Sequence, residues 1–232
     1  MIIAAVDNNH FGCMYRAKEL IAAAHESGAD LIKMQAFHPQ DMRSGSMPLE
    51  FYAQCALSVA QCLDLIEYAR RIKNDLFFEI FSRGFIDVRR AQTWIGVTGE
   101  QYANDGLKDY DDLDESFVSI QERSMSKIKQ IPKRATALYA SEPLAKDPKI
   151  NNIKKLRELI GRPVGYSDHT VGVDWCRVAH NIGAVVIEKH FALKQNEEWR
   201  GDACEDSVHS VTPAQFKELV SYCEYEHGGL QQ

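Results

Sequence analysis

Charged side chains interrupt apolar segments of this sequence, and such residues need chemical partners. Lys33 lies in the run L-I-K-M-Q-A-F, and Glu188 and Lys189 lie together in V-V-I-E-K-H-F. An unpaired charge inside an apolar strand is costly, so each of these residues requires a neighbour of opposite charge. Either the three residues form ion pairs with one another, or an anionic ligand and a metal ion bind at the same place.

Polar side chains also follow the ends of most apolar runs. The first run ends at D-N-N-H over residues 7–10, and the seventh ends at S-D-H over residues 167–169. In a barrel of parallel strands, the C-terminal strand ends share one mouth, where substrates bind. The polar residues predicted at that mouth are Asn9, His10, Lys33, Gln35, Ser82, Arg83, Thr98, Glu100, Ser141, Ser167, Asp168, His169, Glu188, Lys189 and His190.

Short segments rich in apolar residues predict the strands that position these side chains. The predicted strands are 2–6, 31–37, 76–82, 94–100, 117–121, 136–141, 164–168 and 184–191. Several are almost continuously apolar, which is typical of parallel sheets covered on both faces.

Between several of the strands, apolar residues recur at helical spacing. Such stripes occupy residues 17–24, 153–160 and 175–182. They indicate helices that face a core. The final helix is the best marked, because Thr212 can cap it, Pro213 suits its first position and Gln215 can complete a capping box.

This alternation of strands and helices predicts an α/β fold, a compact (β/α)8 TIM barrel forming a single domain over residues 1–232. An open doubly wound sheet is the alternative. The units between residues 91 and 134 must be short. Within them, the acidic segment 108–115 predicts a solvated connection, and the basic run 127–134 predicts an exposed helix face.

The composition excludes several classes of protein. Asp and Glu number 33 against 27 Lys and Arg, and the resulting net charge of -6 disfavours a broad nucleic-acid-binding surface. No run reaches the roughly 18 apolar residues of a membrane span, and the N-terminus lacks the basic region of a signal peptide. The 6 cysteines are scattered without C-x-x-C spacing, which favours reduced thiols. We therefore expect a cytoplasmic protein that binds neither nucleic acid nor membranes.

Two motifs identify a family resemblance. G-Y-S-D-H-T at residues 165–170, followed by V-I-E-K-H-F at residues 186–191, resembles the barrel of the sialic acid synthase family. K-x-Q-x-F at residues 33–37 and further short matches follow in the same order along nearly the whole chain. The resemblance implies a metal-assisted condensation of phosphoenolpyruvate with an open-chain amino sugar such as N-acetylmannosamine. The product is a 3-deoxy-nonulosonic-type acid, and phosphate is released.

The resemblance also implies a role for each candidate residue. His169 and His190 match two metal-binding histidines, with Mn²⁺ or Mg²⁺ as the expected ion; two hydrogen-bonded core histidines are the alternative. Glu188 matches a carboxylate that activates water, and Lys33 matches a lysine that binds phosphoenolpyruvate. The expected catalytic residues are Glu188, Lys33, Asn9 and His10. The expected substrate-binding residues are Gln35, Ser82, Arg83, Thr98, Glu100, Ser141, Ser167, Asp168, Lys189 and Asp206.

Some positions depart from the family pattern. Ala5 stands where the family has an acidic residue, and Asp7 shares that face of the strand by alternation, so it is the candidate replacement. Ile95 replaces a second phosphate-binding lysine, and Arg83 is the candidate to supply the missing cation.

The C-terminal part departs further. Residues 201–207 have a different sequence from the family's G-P-D-H loop. Asp202 or Asp206 is the candidate sugar-binding acid of this segment, and His209 is the candidate replacement for the histidine of that loop. The chain stops about 20 residues after Thr212, so we expect the barrel domain alone, without the family's antifreeze-like domain. By analogy with the family, we also expect a homodimer.

Three functional hypotheses remain open at this stage. The first is a working synthase. The second is a catalytically impaired relative that binds phosphoenolpyruvate-like acids or a partner synthase, which the loss of the acidic residue at Ala5 favours. The third is a different barrel enzyme, such as a metal-dependent aldolase or hydrolase.

Overall fold

Eight parallel strands form the centre of the molecule. The computed structural model describes residues 1–42, 47–98, 116–125, 131 and 135–229. The strands follow one another around a closed ring in sequence order, and β1 pairs with β8. They are β1 (Ile2–Ala5), β2 (Leu31–Ala36), β3 (Asp75–Ile80), β4 (Ile95–Thr98), β5 (Ser116–Ile120), β6 (Thr136–Ala140), β7 (Val164–Asp168) and β8 (Ile187–His190).

Helices cover the outside of this ring. They are α1 (Met14–Glu26), α2 (Leu49–Cys55), α3 (Val59–Arg71), α4 (Ile86–Ala91), α5 (Asn152–Ile160), α6 (Asp174–Asn181), α7 (Glu205–Val208) and α8 (Pro213–Gly229). A short antiparallel ribbon of β9 (Glu198–Trp199) and β10 (Asp202–Ala203) precedes α7. None of the described helices is both long enough and apolar enough to cross a bilayer.

Local hydrogen bonds explain where the best-marked helices begin. Ser58 and Gln61 form a reciprocal capping box at the start of α3. At the start of α8, Gln215 Oε1 accepts a hydrogen bond from the backbone N–H of Thr212 at 2.9 Å, as the sequence predicted.

The described elements confirm an α/β fold with a parallel sheet, and each predicted strand overlaps an observed one. The open-sheet alternative is wrong, because the register Ala5↔His190 joins the first strand to the last. The eightfold strand–helix repeat remains a prediction after β4 and β5, where the acidic segment 108–115 and most of the basic run 127–134 lie outside the described residues.

Side chains on the strands alternate between the inside of the ring and the helices. One inward layer is apolar and comes from six different strand segments: Ile3, Leu31, Phe77, Phe117, Leu138 and Val186. Two residues further along their strands, the inward positions carry Lys33, Glu79 and Glu188, which are all buried. The apolar layer therefore closes the ring below a charged layer that faces the C-terminal strand ends.

Candidate functional site

The charged layer is centred on Lys33, the inward residue of β2. Its Nζ lies 2.9 Å from Glu188 Oε1 on β8, 3.5 Å from Glu79 Oε2 on β3 and 3.5 Å from Asp7 Oδ2 in the turn after β1. Of the two alternatives offered by the sequence, ion pairing is confirmed for Lys33 and Glu188, whereas Lys189 pairs with Asp168 instead. One ammonium group thus faces three carboxyl groups, so this layer carries an excess of acidic groups.

Burial and charge divide these carboxyl groups into two kinds. Burial alone would raise the pKa of Glu188, but the charge and hydrogen bond of Lys33 and the Ser167 hydroxyl, 2.7 Å from Oε1, lower it below its ordinary value. Burial raises the pKa of Asp7 well above its ordinary value, and it also raises that of Glu79, although Lys33 opposes both shifts. Glu188 is therefore the carboxylate that stays ionised most readily.

Lys33 itself keeps its charge. Burial by itself would lower its pKa, but the surrounding carboxylates of Asp7, Glu188 and Glu79 raise the pKa of Lys33 well above its ordinary value. A buried ammonium held this way is a fixed positive charge that an anionic ligand can use.

Three imidazole rings lie next to this layer. His169 follows β7, His190 ends β8, and His209 follows α7. The ring centroids of His169 and His190 are 5.0 Å apart, those of His190 and His209 are 4.3 Å apart, and those of His169 and His209 are 5.4 Å apart. The two histidines predicted to act together are therefore neighbours, and a third joins them.

These rings have the chemistry of metal ligands. His169 Nδ1, His190 Nδ1 and both ring nitrogens of His209 are buried without a hydrogen-bond partner among the described residues. Burial lowers the pKa of all three rings, to about 2 for His209, so neutral imidazole is the favoured form. Neutral imidazole with a free nitrogen binds divalent metals, so this cluster fits the metal that the family resemblance implies.

A carboxylate completes the cluster. Ligand atoms of His190, Asp206 and His209 all lie within 4.8 Å of one another. Asp206 Oδ2 also lies 3.4 Å from the side-chain amide nitrogen of Asn8. Asp202 is exposed in the β9–β10 ribbon, so of the two acids proposed from the sequence, the structure brings Asp206 to the site.

The turn after β1 delivers Asp7 to the site. Asp7 adopts a left-handed backbone conformation with φ 41°, which Asp tolerates better than most residues. Asn8 then donates from Nδ2 to Gln35 Oε1 at 2.8 Å, which fixes the turn against β2. Ala5 lies on the inward side of β1. Asp7 lies in the turn beyond the end of this strand, and its carboxyl group faces the same side, next to Lys33, as expected from the sequence.

Asn9 and His10 occupy the same turn and are fully buried. Asn9 Nδ2 donates to the carbonyl of Phe191 at 2.9 Å and to Ser210 Oγ at 3.0 Å, which ties the turn to the segment after β8. His10 Nδ1 accepts from the backbone N–H of Gly12 at 3.0 Å, and burial lowers the pKa of His10 to about 4. The contacts give Asn9 a positioning role, and the catalytic roles of both residues stay predictions.

The structure corrects the placement of Asp168 and Lys189. Both side chains have 0% exposure, and Lys189 Nζ lies 2.8 Å from Asp168 Oδ2. Asp168 also accepts from the hydroxyl of Tyr166 at 2.9 Å and contacts Cys176 of α6. They alternate with the inward residues Ser167 and Glu188, so they point away from the mouth, and the prediction that they bind substrate is wrong.

The other predicted hydroxyl groups support neighbouring segments. Ser141 Oγ accepts from the backbone N–H of His169 at 2.9 Å, directly behind the imidazole cluster. Ser82 Oγ accepts from the backbone N–H of His38 at 2.9 Å and donates to Asp41. The side chains of Arg83 and Thr98, and the whole of Glu100, lie outside the described part of the chain.

Glu79 was not among the residues predicted from the sequence, and Asn8 was placed at the end of the first strand without a role. Glu79 stands in the apolar strand D-L-F-F-E-I, two residues after the inward Phe77, and this spacing was the available signal. Asn8 carries no comparable signal, because its contacts with Gln35 and Asp206 depend on the backbone geometry of a turn that the amino-acid sequence does not specify.

Comparisons with known proteins agree with this arrangement. An uncharacterized protein of Methanocaldococcus jannaschii is 31% identical over 95% of this chain and 68% of its own length. The N,N'-diacetyllegionaminic acid synthase of Legionella pneumophila is 26% identical over 94% of this chain and 70% of its own length.

The fold is also similar to that of solved structures. The crystal structure of N-acetylneuraminic acid synthetase from Leptospira borgpetersenii, in complex with citrate, matches 100% of this chain and 85% of that chain with a TM-score of 0.83 and 20% identity. At that identity the likeness supports the fold alone. The model of the NeuB family matches residues 106–227, more than half of the sequence. With the strand ring and the order of the motifs, these matches show that the chain belongs to the NeuB family.

Proposed function

We propose that this protein condenses phosphoenolpyruvate with an open-chain amino sugar, N-acetylmannosamine or a related aldose, to form a 3-deoxy-nonulosonic-type acid and inorganic phosphate. The observation that carries the proposal is the buried pair of Lys33 and Glu188, 2.9 Å apart, beside the imidazole cluster at the mouth of the ring. The name of the Legionella pneumophila relative, a synthase of N,N'-diacetyllegionaminic acid, supports it.

The proposed reaction defines what the site must do. Carbon 3 of the enol phosphate attacks the aldehyde carbon of the sugar, water adds at carbon 2, and the phosphate leaves carbon 2 with its bonding electrons. A divalent metal, Mn²⁺ or Mg²⁺, held by His169 and His190 would polarise the sugar aldehyde. The chain's own residues must hold two anionic groups and accept a proton from water.

Glu188 is the residue that we assign to the proton. It stays ionised because Lys33 and Ser167 lower its pKa, and it faces the inside of the ring. A carboxylate in this state can accept a proton from the water that adds at carbon 2.

Lys33 is the residue that we assign to the anion. Its charge is fixed, and the raised pKa values of Asp7 and Glu79 favour their neutral forms, which reduces their repulsion of a phosphate or carboxylate. Asn9 and His10 hold the turn that delivers Asp7. Further contacts to the substrates are assigned to Gln35, Ser82, Arg83, Thr98, Glu100, Ser141, Ser167 and Asp206.

A catalytically impaired relative is the second candidate. Ala5 is fully buried on the inward side of β1, where a methyl group can neither donate a hydrogen bond nor move a proton. Such a protein would bind phosphoenolpyruvate-like acids or a partner synthase without turnover. A cytoplasmic location and a homodimer complete the proposal as expectations.

Phosphate release separates the two candidates. The purified protein is incubated with Mn²⁺, phosphoenolpyruvate and a panel of aldoses and N-acetylhexosamines. The synthase predicts release that requires a sugar and falls at least about 100-fold in Glu188→Gln, since general-base contributions are typically of that size. The exposed Glu158→Gln on α5 is the matched control and should retain full activity.

Mass spectrometry of the product then identifies the acceptor sugar. A condensed acid whose mass equals phosphoenolpyruvate plus sugar plus water minus phosphoric acid confirms the reaction. Binding of phosphoenolpyruvate without release under every sugar of the panel would instead establish the impaired relative.

A further inference from the structure

The imidazole nearest to His190 comes from the segment after α7 and not from the neighbouring strand. The ring centroids of His209 and His190 are 4.3 Å apart, whereas those of His169 and His190 are 5.0 Å apart. The two barrel histidines that the motifs single out are thus not the tightest pair in the described site.

Asp206 brings a carboxylate to that tighter pair. One ligand atom each of His190, Asp206 and His209 lie within 4.8 Å of one another, and they form the three-ligand group found among the described residues. An ion about 2.1 Å from each ligand would bring these atoms to about 3–4 Å from one another. Side-chain movements of about 1 Å are sufficient to close the cluster around one ion.

The ring nitrogens of His209 make no hydrogen bond within the described part of the chain. Its side chain is buried, with 1% exposure. A buried polar group left unsatisfied costs about 1–3 kcal/mol. In neutral imidazole one ring nitrogen carries a free lone pair, and a metal ion bound to that nitrogen would remove the cost of burying it unsatisfied.

A second carboxyl group lies on the same side of the His190 ring as Asp206. Asp7 Oδ2 lies 3.6 Å from His190 Nδ1, and Asp206 Oδ1 lies 4.0 Å from the same nitrogen. That nitrogen is buried without a hydrogen-bond partner in the described part of the chain. Two carboxyl groups therefore face one unsatisfied ring nitrogen, an arrangement that suits a bound cation.

We propose that His209, together with His190 and Asp206, binds one divalent transition-metal ion. Two imidazole nitrogens and one carboxylate oxygen favour metals such as Co²⁺, Zn²⁺ and Fe²⁺ over Mg²⁺, which prefers oxygen ligands. This refines the metal site of the proposed function and rests on it for its role in catalysis, but binding of the ion can be measured without any turnover.

Cobalt binding tests the proposal directly. Metal-free full-length protein is titrated with Co²⁺ alone, and the ligand-field absorption and calorimetric affinity are recorded for the wild type, His209→Ala, His169→Ala and the remote control His180→Ala. We expect one Co²⁺ per chain, at least about a tenfold loss of affinity in His209→Ala, and no loss in the control. Because Mg²⁺ prefers oxygen ligands and this site offers two nitrogens, an excess of Mg²⁺ of about 100-fold over Co²⁺ should not displace the bound Co²⁺.

A second variant guards against misfolding, because His209 is buried. His209→Cys should keep the ion and add an intense near-ultraviolet sulfur-to-cobalt charge-transfer band, which only direct ligation produces. Circular dichroism and thermal unfolding without metal verify that each variant is folded.

Three outcomes overturn the proposal: no Co²⁺ binding by the wild type, unchanged affinity in folded His209→Ala, or folded His209→Cys without the charge-transfer band. Loss of binding in His169→Ala alone would return the site to the two strand histidines. Intact Co²⁺ binding without sugar-dependent phosphate release would contradict the proposed function and leave this metal site standing.

Discussion

Two buried lysines, one on the inner and one on the outer side of the strand ring, differ in how their charges are paired. Lys189, on the outer side of β8, lies 2.8 Å from Asp168 and also donates to the carbonyl of Thr170. Lys33, on the inner side of β2, faces three carboxyl groups: its Nζ lies 2.9 Å from Glu188 but 3.5 Å from both Asp7 and Glu79.

The difference lies in how completely the partners are satisfied. Asp168 accepts hydrogen bonds on both carboxylate oxygens, whereas both oxygens of Asp7 lack a hydrogen-bond partner among the described residues. A saturated network holds strand to helix and has no capacity for a ligand. A network with unsatisfied buried groups is unfavourable until a ligand, a proton or an ion binds to it. The carboxyl groups around Lys33 therefore indicate that the inside of the ring is the functional side.

Removal of the outer lysine should have the largest effect, and on stability. Lys189→Met leaves the Asp168 carboxylate buried without its cation, so we expect the free energy of unfolding to fall by about 3–5 kcal/mol. Urea unfolding followed by circular dichroism measures this. The exposed Lys154→Met on α5 is the control and should change stability by less than about 0.5 kcal/mol.

Removal of the inner lysine should act mainly on activity. Lys33→Met is expected to lower sugar-dependent phosphate release by at least about 100-fold, because the fixed charge for the anion is lost. Its stability should fall less than that of Lys189→Met, because Asp7 and Glu79 can take up protons. Equal losses of stability in the two variants would show that both lysines are structural.

Asp7→Asn tests whether the turn replaces the missing acid at Ala5. Asn keeps the size and tolerates the left-handed φ of 41°, so the fold should be retained. We expect about a tenfold loss of activity, which corresponds to about 1.4 kcal/mol. Steady-state kinetics give the result, and unchanged kcat/KM would remove Asp7 from the proposed mechanism.

Glu79→Gln should have the smallest effect, a pH-dependent gain in stability. Burial raises the pKa of Glu79 above its ordinary value of 4.5, so ionisation of this group destabilises the folded state as pH rises through that raised pKa. The variant should be about 1 kcal/mol more stable than the wild type near about pH 8, and the gain should vanish near about pH 4. Urea unfolding at both pH values measures the difference, and a gain independent of pH would contradict this reading.

The strands and the main helices could be predicted because their signals are local. Apolar runs and helical stripes located all eight strands to within a few residues, and Thr212 with Gln215 marked the start of α8. Helix α3 was not predicted, although its buried residues Cys62, Leu65, Ile66 and Ala69 have the same spacing. The short helices α2 and α4 were not predicted either and carry no comparable stripe.

The site could be predicted only where strand alternation was enough. Lys33 and Glu188 pair as expected, but Asp168 and Lys189 were placed at the mouth because motif membership was given priority over alternation. The position of His209 depends on the path of a long segment after β8, which no local pattern specifies.

The ties made by Asn9 have a consequence for how the protein is made. Asn9 is joined to Ser210, 201 residues later in the chain, and β1 is paired with β8. During translation, β1 therefore keeps one edge unpaired until residues 187–190 have been synthesised. Lys33 of β2 and Glu188 of β8 meet only in this last closure, so a chain synthesised only as far as β7 presents no finished site.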